Sequence, residues 1–252
     1  MWTLNKKKAL VTGGTKGIGR TTVLEFLELG AEVLFTSRSE EDVQQFEKEL
    51  RNKGLKAHGL VADSSNKEDR LKIKSWVAEN WKQLDILVHN AGINIRRKAI
   101  DYSDEEFRKV LEINLISPFE LSRLLHPFLK ESARASIINV SSSAANQDVG
   151  TGVPYAMSKS GLLQQTRSLA AEWAEDGIRV NAVSPWFTRT PLTEGYLNQE
   201  EKLKAILDRT PLKRVAEATE ISAVISFLAM EKSSFITGQN IIADGGMSIK
   251  AI

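Results

Sequence analysis

The chain has no cysteine, only three histidines and six prolines, and a formal net charge of just +2 over 252 residues. The missing thiol excludes disulfides, thiolate nucleophiles and cysteine-ligated metals, and it fits a reducing compartment. With 34 basic against 32 acidic residues, nothing electrostatic calls for a nucleic acid or an anionic membrane as partner. No apolar run is long enough to cross a bilayer, and the N-terminal Met1–Gly14 stretch lacks the apolar core of a signal peptide. The cytoplasm is therefore the expected location. No proline- or glycine-rich linker, composition shift or long charge run divides the sequence, so one domain spanning residues 1–252 is expected. A hydrophobic fraction of 42% and a charged fraction of 26% are ordinary for a globular chain of this length.

What the sequence does have is alternation. Short apolar runs at Lys8–Thr12, Glu32–Thr36, Leu55–Val61, Asp85–Val88, Ser136–Val140, Ile178–Val183 and Asn240–Ala243 read as strands. Helical patterns separate them: Ile18–Leu29, Glu40–Lys53, Lys67–Trp81, a long stretch from Asp104 to Lys130, the segment bearing Tyr155, and Ala216–Met230. This pattern predicts an α/β fold, a single doubly wound (Rossmann-type) parallel sheet of about seven strands with helices on both faces. Right-handed crossovers bring the strand C-termini to one edge, where ligands bind. The chemistry-bearing residues fall at those ends: Thr12–Gly19, Ser37–Arg38, Asp63, Asn90–Gly92, Ser141–Ser143 and Ser184–Thr190.

The first of these, Thr12-Gly-Gly-Thr-Lys-Gly-Ile-Gly19, joins a strand to a helix. Its glycines permit a tight turn and close approach to phosphate, and the helix start offers free N–H groups and a positive dipole end. The spacing Gly13, Gly17, Gly19 departs from G-x-G-x-x-G, and Lys16 lacks the Walker context, which argues against an NTPase. The second strand ends Thr36-Ser37-Arg38 with no carboxylate at its tip. An NAD site wants an acid there; Arg38, Ser37 and Lys16 fit the 2′-phosphate of NADP(H) instead. Glu40 and Glu41 are the nearby counterweight, read as first-turn charges of the next helix.

Tyr155 and Lys159 stand four residues apart, one above the other on a helix face. A lysine so placed favours phenolate, so the tyrosine's pKa is expected to fall from about 10 toward the working pH, where a proton donor is most useful.

Together with His89-Asn-Ala-Gly92, Asn114, Ser142, Tyr155-Ala-Met-Ser-Lys159 and Ile236-Thr-Gly-Gln239…Asp244-Gly-Gly246, the glycine loop resembles the short-chain dehydrogenase/reductase family over about residues 6–248. His126–Lys130, Leu169–Asn181 and Ser184–Leu192 are most similar to the NADPH-dependent, tropinone-reductase-like subgroup. The resemblance implies a catalytic tetrad of Asn114, Ser142, Tyr155 and Lys159. Ser142, thirteen residues before the tyrosine, would hydrogen-bond the substrate oxygen. Tyr155 would protonate that oxygen as hydride arrives, Lys159 would tune the phenol and hold the nicotinamide ribose, and Asn114 would hold a water beside Lys159. For the cofactor it implies Gly13, Thr15, Lys16, Gly17, Ile18 and Gly19 around the phosphates, with Ser37 and Arg38 at the 2′-phosphate. Asp63 would take the adenine, Asn90 and Gly92 the ribose side, Tyr155 and Lys159 the nicotinamide ribose, and Thr188 and Thr190 the carboxamide. His89 stands where the family usually has a second Asn, and Trp186 where it has Gly after Pro185.

Ala144, Trp186 and Phe187 are the expected pocket residues, with Ile93–Arg97, 144–153 and a substrate-loop insertion at 187–209 shaping recognition. Asp148 is an acid that would attract an amine. The reaction implied is reduction of a ketone to a secondary alcohol by hydride transfer. A 3-oxoacyl thioester reductase, for which Arg96, Arg97 and Lys98 supply a basic patch, remains an alternative. So do a sugar-acid or polyol dehydrogenase, a steroid-like ketone reductase and a non-catalytic NADP(H)-binding sensor. Leu111, Ile113, Leu115, Leu121, Leu124, Leu125, Leu162, Leu163 and Leu169 exceed what one sheet face needs and point to association, a homotetramer or dimer in line with the family.

Overall fold

The computed structural model describes residues 2–132 and 134–250. Side-chain alternation builds its core. Ala9 and Val11 of β1 (Lys8–Val11) join one apolar cluster while Leu10 joins another, because successive side chains point to opposite faces. The same division holds in β2 (Glu32–Ser37), where Val33 and Phe35 face one cluster and Leu34 the other. Such strands, apolar on both faces, can only be central strands of a sheet covered on both sides. β3 (Ala57–Val61), β4 (Ile86–His89), β5 (Ala135–Val140), β6 (Ile178–Pro185) and β7 (Asn240–Ala243) complete a seven-stranded sheet, in the order β3-β2-β1-β4-β5-β6-β7. Every pairing is parallel.

Helices α1 (Gly17–Glu28) and α2 (Glu40–Asn52) cover one face together with α9 (Ala218–Ala229), through Val23, Phe26, Phe46 and Ile225. The other face carries α3 (Lys67–Asn80), α5 (Ser117–Lys130) and α6 (Val153–Glu172), through Ile73, Leu121, Leu125 and Leu169. Each strand forms within a residue or two of its expected position, and the doubly wound fold is as the alternation requires.

The structure differs from expectation in three places. The stretch Asp104–Lys130 is not one regular helix: α4 (Asp104–Leu111) and α5 flank a widened π turn, Glu112–Ile116, which carries Asn114. A single π turn inserted into a helix accommodates a residue whose side chain is committed elsewhere, and Asn114 is so committed, as shown below. Segment 187–209 contains two short helices, α7 (Pro191–Leu197) and α8 (Glu200–Arg209). They enclose a satellite core of Phe187, Leu197, Ile206 and Val215 and form a cap beside the sheet edge. Finally, several leucines read as surplus are core residues: Leu121, Leu125, Leu162, Leu163 and Leu169 are all buried. The apolar side chains these helices expose are instead Ile116, Phe119, Val153 and Met157.

Candidate active site at the sheet edge

β1 connects toward β2 and β3 on one side of the sheet and neighbours β4 on the other, so the crossovers diverge there and leave a crevice at the strand C-termini. A single cleft runs from this point and is lined by Gly13, Thr15, Lys16, Gly17, Ile18, Ser37, Arg38, Asp63, Asn90 and Gly92, and further along by Ser142, Tyr155, Lys159, Trp186, Phe187, Thr188 and Thr190. Three expected site residues lie behind its wall: Gly19, Asn114 and Ala144.

Gly19 is a packing residue. A Cβ there would fall 2.1 Å from the Gly13 carbonyl oxygen, so only glycine lets α1 start against its own loop. Gly17 faces the cleft with φ 53°, and a Cβ on it would meet the Thr190 side chain at 3.1 Å. The loops after β1 and β6 thus touch. Asn90 fastens the glycine loop to β4, its amide donating to the carbonyls of Thr12 (3.0 Å) and Gly13 (2.9 Å). The Thr12 hydroxyl accepts from the backbone N–H groups of Asn90 and Ala91. The sequence marks Thr12 only as the start of the glycine loop, because its own partners lie in the loop after a neighbouring strand.

The first turn of α1 contains no acid, whereas those of α2, α3 and α4 contain two or three each. No side chain caps it, which leaves its first N–H groups without a side-chain partner, and Gly17 and Ile18 of that turn line the cleft. That donor set fits a pyrophosphate. At the tip of β2, Ser37 and Arg38 line the same cleft with no carboxylate at the strand end. Arg38 lies 3.9 Å from Asp63, and Lys16 pairs at 2.6 Å with Asp42, an acid the sequence did not flag among its neighbours Glu40 and Glu41. These are exposed pairs, weak and readily exchanged for a stronger anion. Asp63 also accepts from the Ser65 backbone and hydroxyl.

Of the three serines after β5, two are spent on backbone: Ser141 donates to the Lys159 carbonyl and Ser143 to that of Pro185. Ser142 accepts from the Ala144 N–H at 3.2 Å, and its hydroxyl lies close enough to the Tyr155 phenol to favour the phenolate. Lys159, buried, donates from Nζ to the Val140 carbonyl at 2.8 Å, with Nζ 5.8 Å from the centre of the Tyr155 ring. Burial holds the Tyr155 phenol above its ordinary range, while the Ser142 hydroxyl and the charge of Arg96 pull the other way. The expected lowering by Lys159 is therefore not what the structure shows. Lys159 itself is brought down from its ordinary value to about 8 by burial.

Asn114 Oδ1 accepts from the Ile93 N–H and its Nδ2 donates to the Ile93 carbonyl, both at 2.9 Å. Nδ2 also reaches Ser158 Oγ (3.1 Å), which donates to the Tyr155 carbonyl at 2.7 Å. A continuous chain of bonds thus ties the cleft wall after β4 to the turn of α6 that bears Tyr155. His89 lies outside this set, buried against Ser122 Oγ at 2.7 Å and held neutral, its pKa lowered to about 3 by burial.

At the far end, Trp186 Nε1 donates to Thr210 Oγ1 at 3.1 Å, Trp186 and Phe187 meet edge to face, and Phe187 stacks on Tyr196 of α7. Asp148 does not line the cleft; its carboxylate accepts from the Gly150 N–H in a turn. The basic run Arg96-Arg97-Lys98 splits: Arg97 is bound to Glu106 at 2.7 Å, whereas Arg96 lines the cleft.

This fold and edge define a dinucleotide-type oxidoreductase scaffold, and the comparisons with known proteins carry the assignment further. A family profile described as enoyl-(acyl carrier protein) reductase matches residues 13–248. A tropinone reductase homolog of Arabidopsis thaliana is 42% identical over 249 residues, covering 98% of this chain and 94% of that protein. Among solved structures, a putative NAD(P)-dependent gluconate 5-dehydrogenase from Beutenbergia cavernae superposes with TM-score 0.94 at 31% identity, covering 99% of both chains. A gluconate 5-dehydrogenase from Burkholderia cenocepacia, in complex with NADP and tartrate, gives 0.95 at 26% identity, covering 99% of this chain and 98% of that one. The chain belongs to the short-chain dehydrogenase/reductase family and is most like its tropinone-reductase-like members. It is a short-chain oxidoreductase acting on the CH–OH/C=O pair. No described helix is long and apolar enough to cross a membrane.

Proposed function

We propose that the protein is an NADP(H)-dependent reductase that converts a ketone to a secondary alcohol, with Tyr155 as general acid. One observation carries this reading: the Ser142–Tyr155–Lys159 group and the Ser37–Arg38 pair open into the same cleft, one at each end of it. NADP(H), when bound, supplies or accepts the hydride. The chain's own residues do the rest. Arg38 and Ser37, with Lys16 beside them, hold the 2′-phosphate, and the uncapped start of α1 holds the pyrophosphate. Asp63, Asn90 and Gly92 border the adenosine half, and Thr188 and Thr190 the nicotinamide half. Ser142 orients the carbonyl oxygen, and Tyr155 delivers the proton to it. Lys159, one turn away, stabilises the phenolate left behind and binds the ribose hydroxyls. Asn114 acts here as a positioning residue through Ile93 and Ser158. Ala144 sits beneath Ser142, and Trp186 and Phe187 wall the substrate end.

Two features bear on the alternatives. The pairing of Arg97 with Glu106 breaks up the basic patch an acyl-carrier partner would use. The gluconate 5-dehydrogenases among similar structures favour the sugar-acid variant over the thioester one. Cytoplasmic residence and assembly into a homotetramer through the faces bearing Ile116, Phe119, Val153 and Met157 belong to the same proposal.

The test is NADPH oxidation over a panel of ketones, run beside NADH. NADPH is expected to be preferred by roughly tenfold or more, as the loss of a charged hydrogen-bond partner implies. Tyr155→Phe should lower kcat by at least about a thousandfold, of the order of removing an essential proton donor, while NADPH binding is retained. An NADH preference would overturn the role of Arg38. Wild-type protein that binds NADPH but reduces nothing would favour the sensor.

A further inference from the structure

Among the described residues, Arg96 is the one charged group lining the substrate end of the cleft that the proposed reaction does not use. It lines the cleft with Ser142, Tyr155, Trp186 and Phe187. It reaches across from the loop after β4 to the cap, its guanidinium carbon 4.9 Å from the centre of the Tyr196 ring. A guanidinium over an aromatic face is steadied by cation–π attraction while its N–H donors stay free at the edge. Lys202 lies 4.3 Å from the same ring centre and adds positive charge. Among the described residues, Arg96 makes no ion pair, in contrast to its neighbour Arg97. The only acid among the described residues that line the cleft is Asp63, at the opposite end beside Arg38. The positive field of Arg96 is felt at the Tyr155 phenol itself. An arginine laid over an aromatic ring, close to the proton donor and without a carboxylate partner among the described residues, presents the fork that matches a carboxylate in two parallel hydrogen bonds.

We infer that Arg96 anchors a carboxylate on the substrate, so that the compound reduced is an oxo acid whose acid group lies away from the carbonyl held by Ser142 and Tyr155. The inference rests on the reductase reading for the word "reduced", and on the cleft alone for the anion site. Ile93, Leu192, Trp186 and Phe187 supply apolar walls along the chain between the two groups. Arg96 is on this account a specificity residue. It moves no proton and changes no bond; the hydride and proton balance of ketone to alcohol is unaffected by it.

Two measurements separate this inference from the reaction it builds on. The first uses 4-oxopentanoate, 5-oxohexanoate and a polyhydroxylated 5-oxohexonate, each beside its methyl amide. Wild-type protein should prefer acid over amide in kcat/KM by roughly tenfold to a hundredfold, the range for a charge-assisted pair. Arg96→Ala should bring that ratio close to one, and Arg96→Lys should leave an intermediate value. The ratio cancels any change the variant makes to the chemistry itself. The second is calorimetric titration of the NADP-saturated protein with butanoate and hexanoate, beside butanamide and hexanamide, none of which can be reduced. Tighter binding of the acids, lost in Arg96→Ala, supports the anchor even if no carbonyl is turned over. An acid-to-amide ratio near one in the wild type, the same ratio in Arg96→Ala, or equal binding of acids and amides would overturn it.

Discussion

Lys159 shows how far a side chain's chemistry depends on where the fold puts it. From sequence it is an ordinary ammonium that lowers a neighbouring phenol's pKa; in the structure it is buried, bonded to Val140 and itself brought down to about 8. The sign of the consequence follows. Its folded pKa lies below its ordinary value of 10.5, so the unfolded chain holds the proton more tightly. The cost of burying the charge is full below about pH 8, fades as pH rises toward 10.5, and is absent above that. Stability of the wild type relative to Lys159→Met should therefore rise across that window in denaturant unfolding measured at each pH, while the variant loses turnover at every pH. A flat difference would mean that Lys159 is not held at the depressed value. The serines illustrate the same dependence. The family spacing selects Ser142 from a run of three, and the hydrogen bonds of Ser141 and Ser143 to backbone give the physical reason, since their hydroxyls are already spent.

At the scale of elements, strands and helices were the most legible part, because period-two burial and helical spacing are local properties of the chain. The cap was less so. Segment 187–209 mixes charges with Leu192, Tyr196 and Leu197, and its short α7 and α8 exist because Phe187, Leu197, Ile206 and Val215 find one another. Helices of this length are marginal alone and need such packing. The Trp186–Thr210 bond joins the entry of the cap to its exit. Trp186→Phe keeps an aromatic wall but removes the donor, which should cost about 1 kcal/mol locally. Amide exchange should speed up in 191–209 and remain unchanged in the sheet; equal protection in both proteins would show that the bond does not hold the cap. The π turn at Asn114 was likewise invisible locally, since the bonds that engage Asn114 reach back to Ile93 at the start of the same β4–β5 connection.

For the whole molecule, the doubly wound sheet explains why distant segments share one cleft: parallel strands connected by right-handed crossovers end on the same edge. The outer surface is a second whole-molecule property. Ile116, Phe119, Val153 and Met157 remain exposed on α5, α6 and the π turn between α4 and α5, while Leu121, Leu125, Leu162, Leu163 and Leu169, five of the residues that first pointed to association, are buried within the chain. Light scattering after gel filtration should give a mass of a dimer or tetramer of this 28.0 kDa chain, and replacing Phe119 and Met157 with Asp should reduce it. A monomeric wild type would remove the argument for assembly.

The sequence by itself determined the sheet, the class of cofactor loop, the missing acid after β2 and the Tyr155–Lys159 spacing, because each is written in adjacent residues or a fixed helical repeat. Tertiary structure alone decided that Arg97 is consumed by Glu106 while Arg96 turns to the cleft. It also decided that Lys16 meets Asp42, and that burial rather than the lysine sets the phenol's acidity. Those outcomes depend on desolvation and on partners brought together by chain crossings, neither of which a linear pattern records.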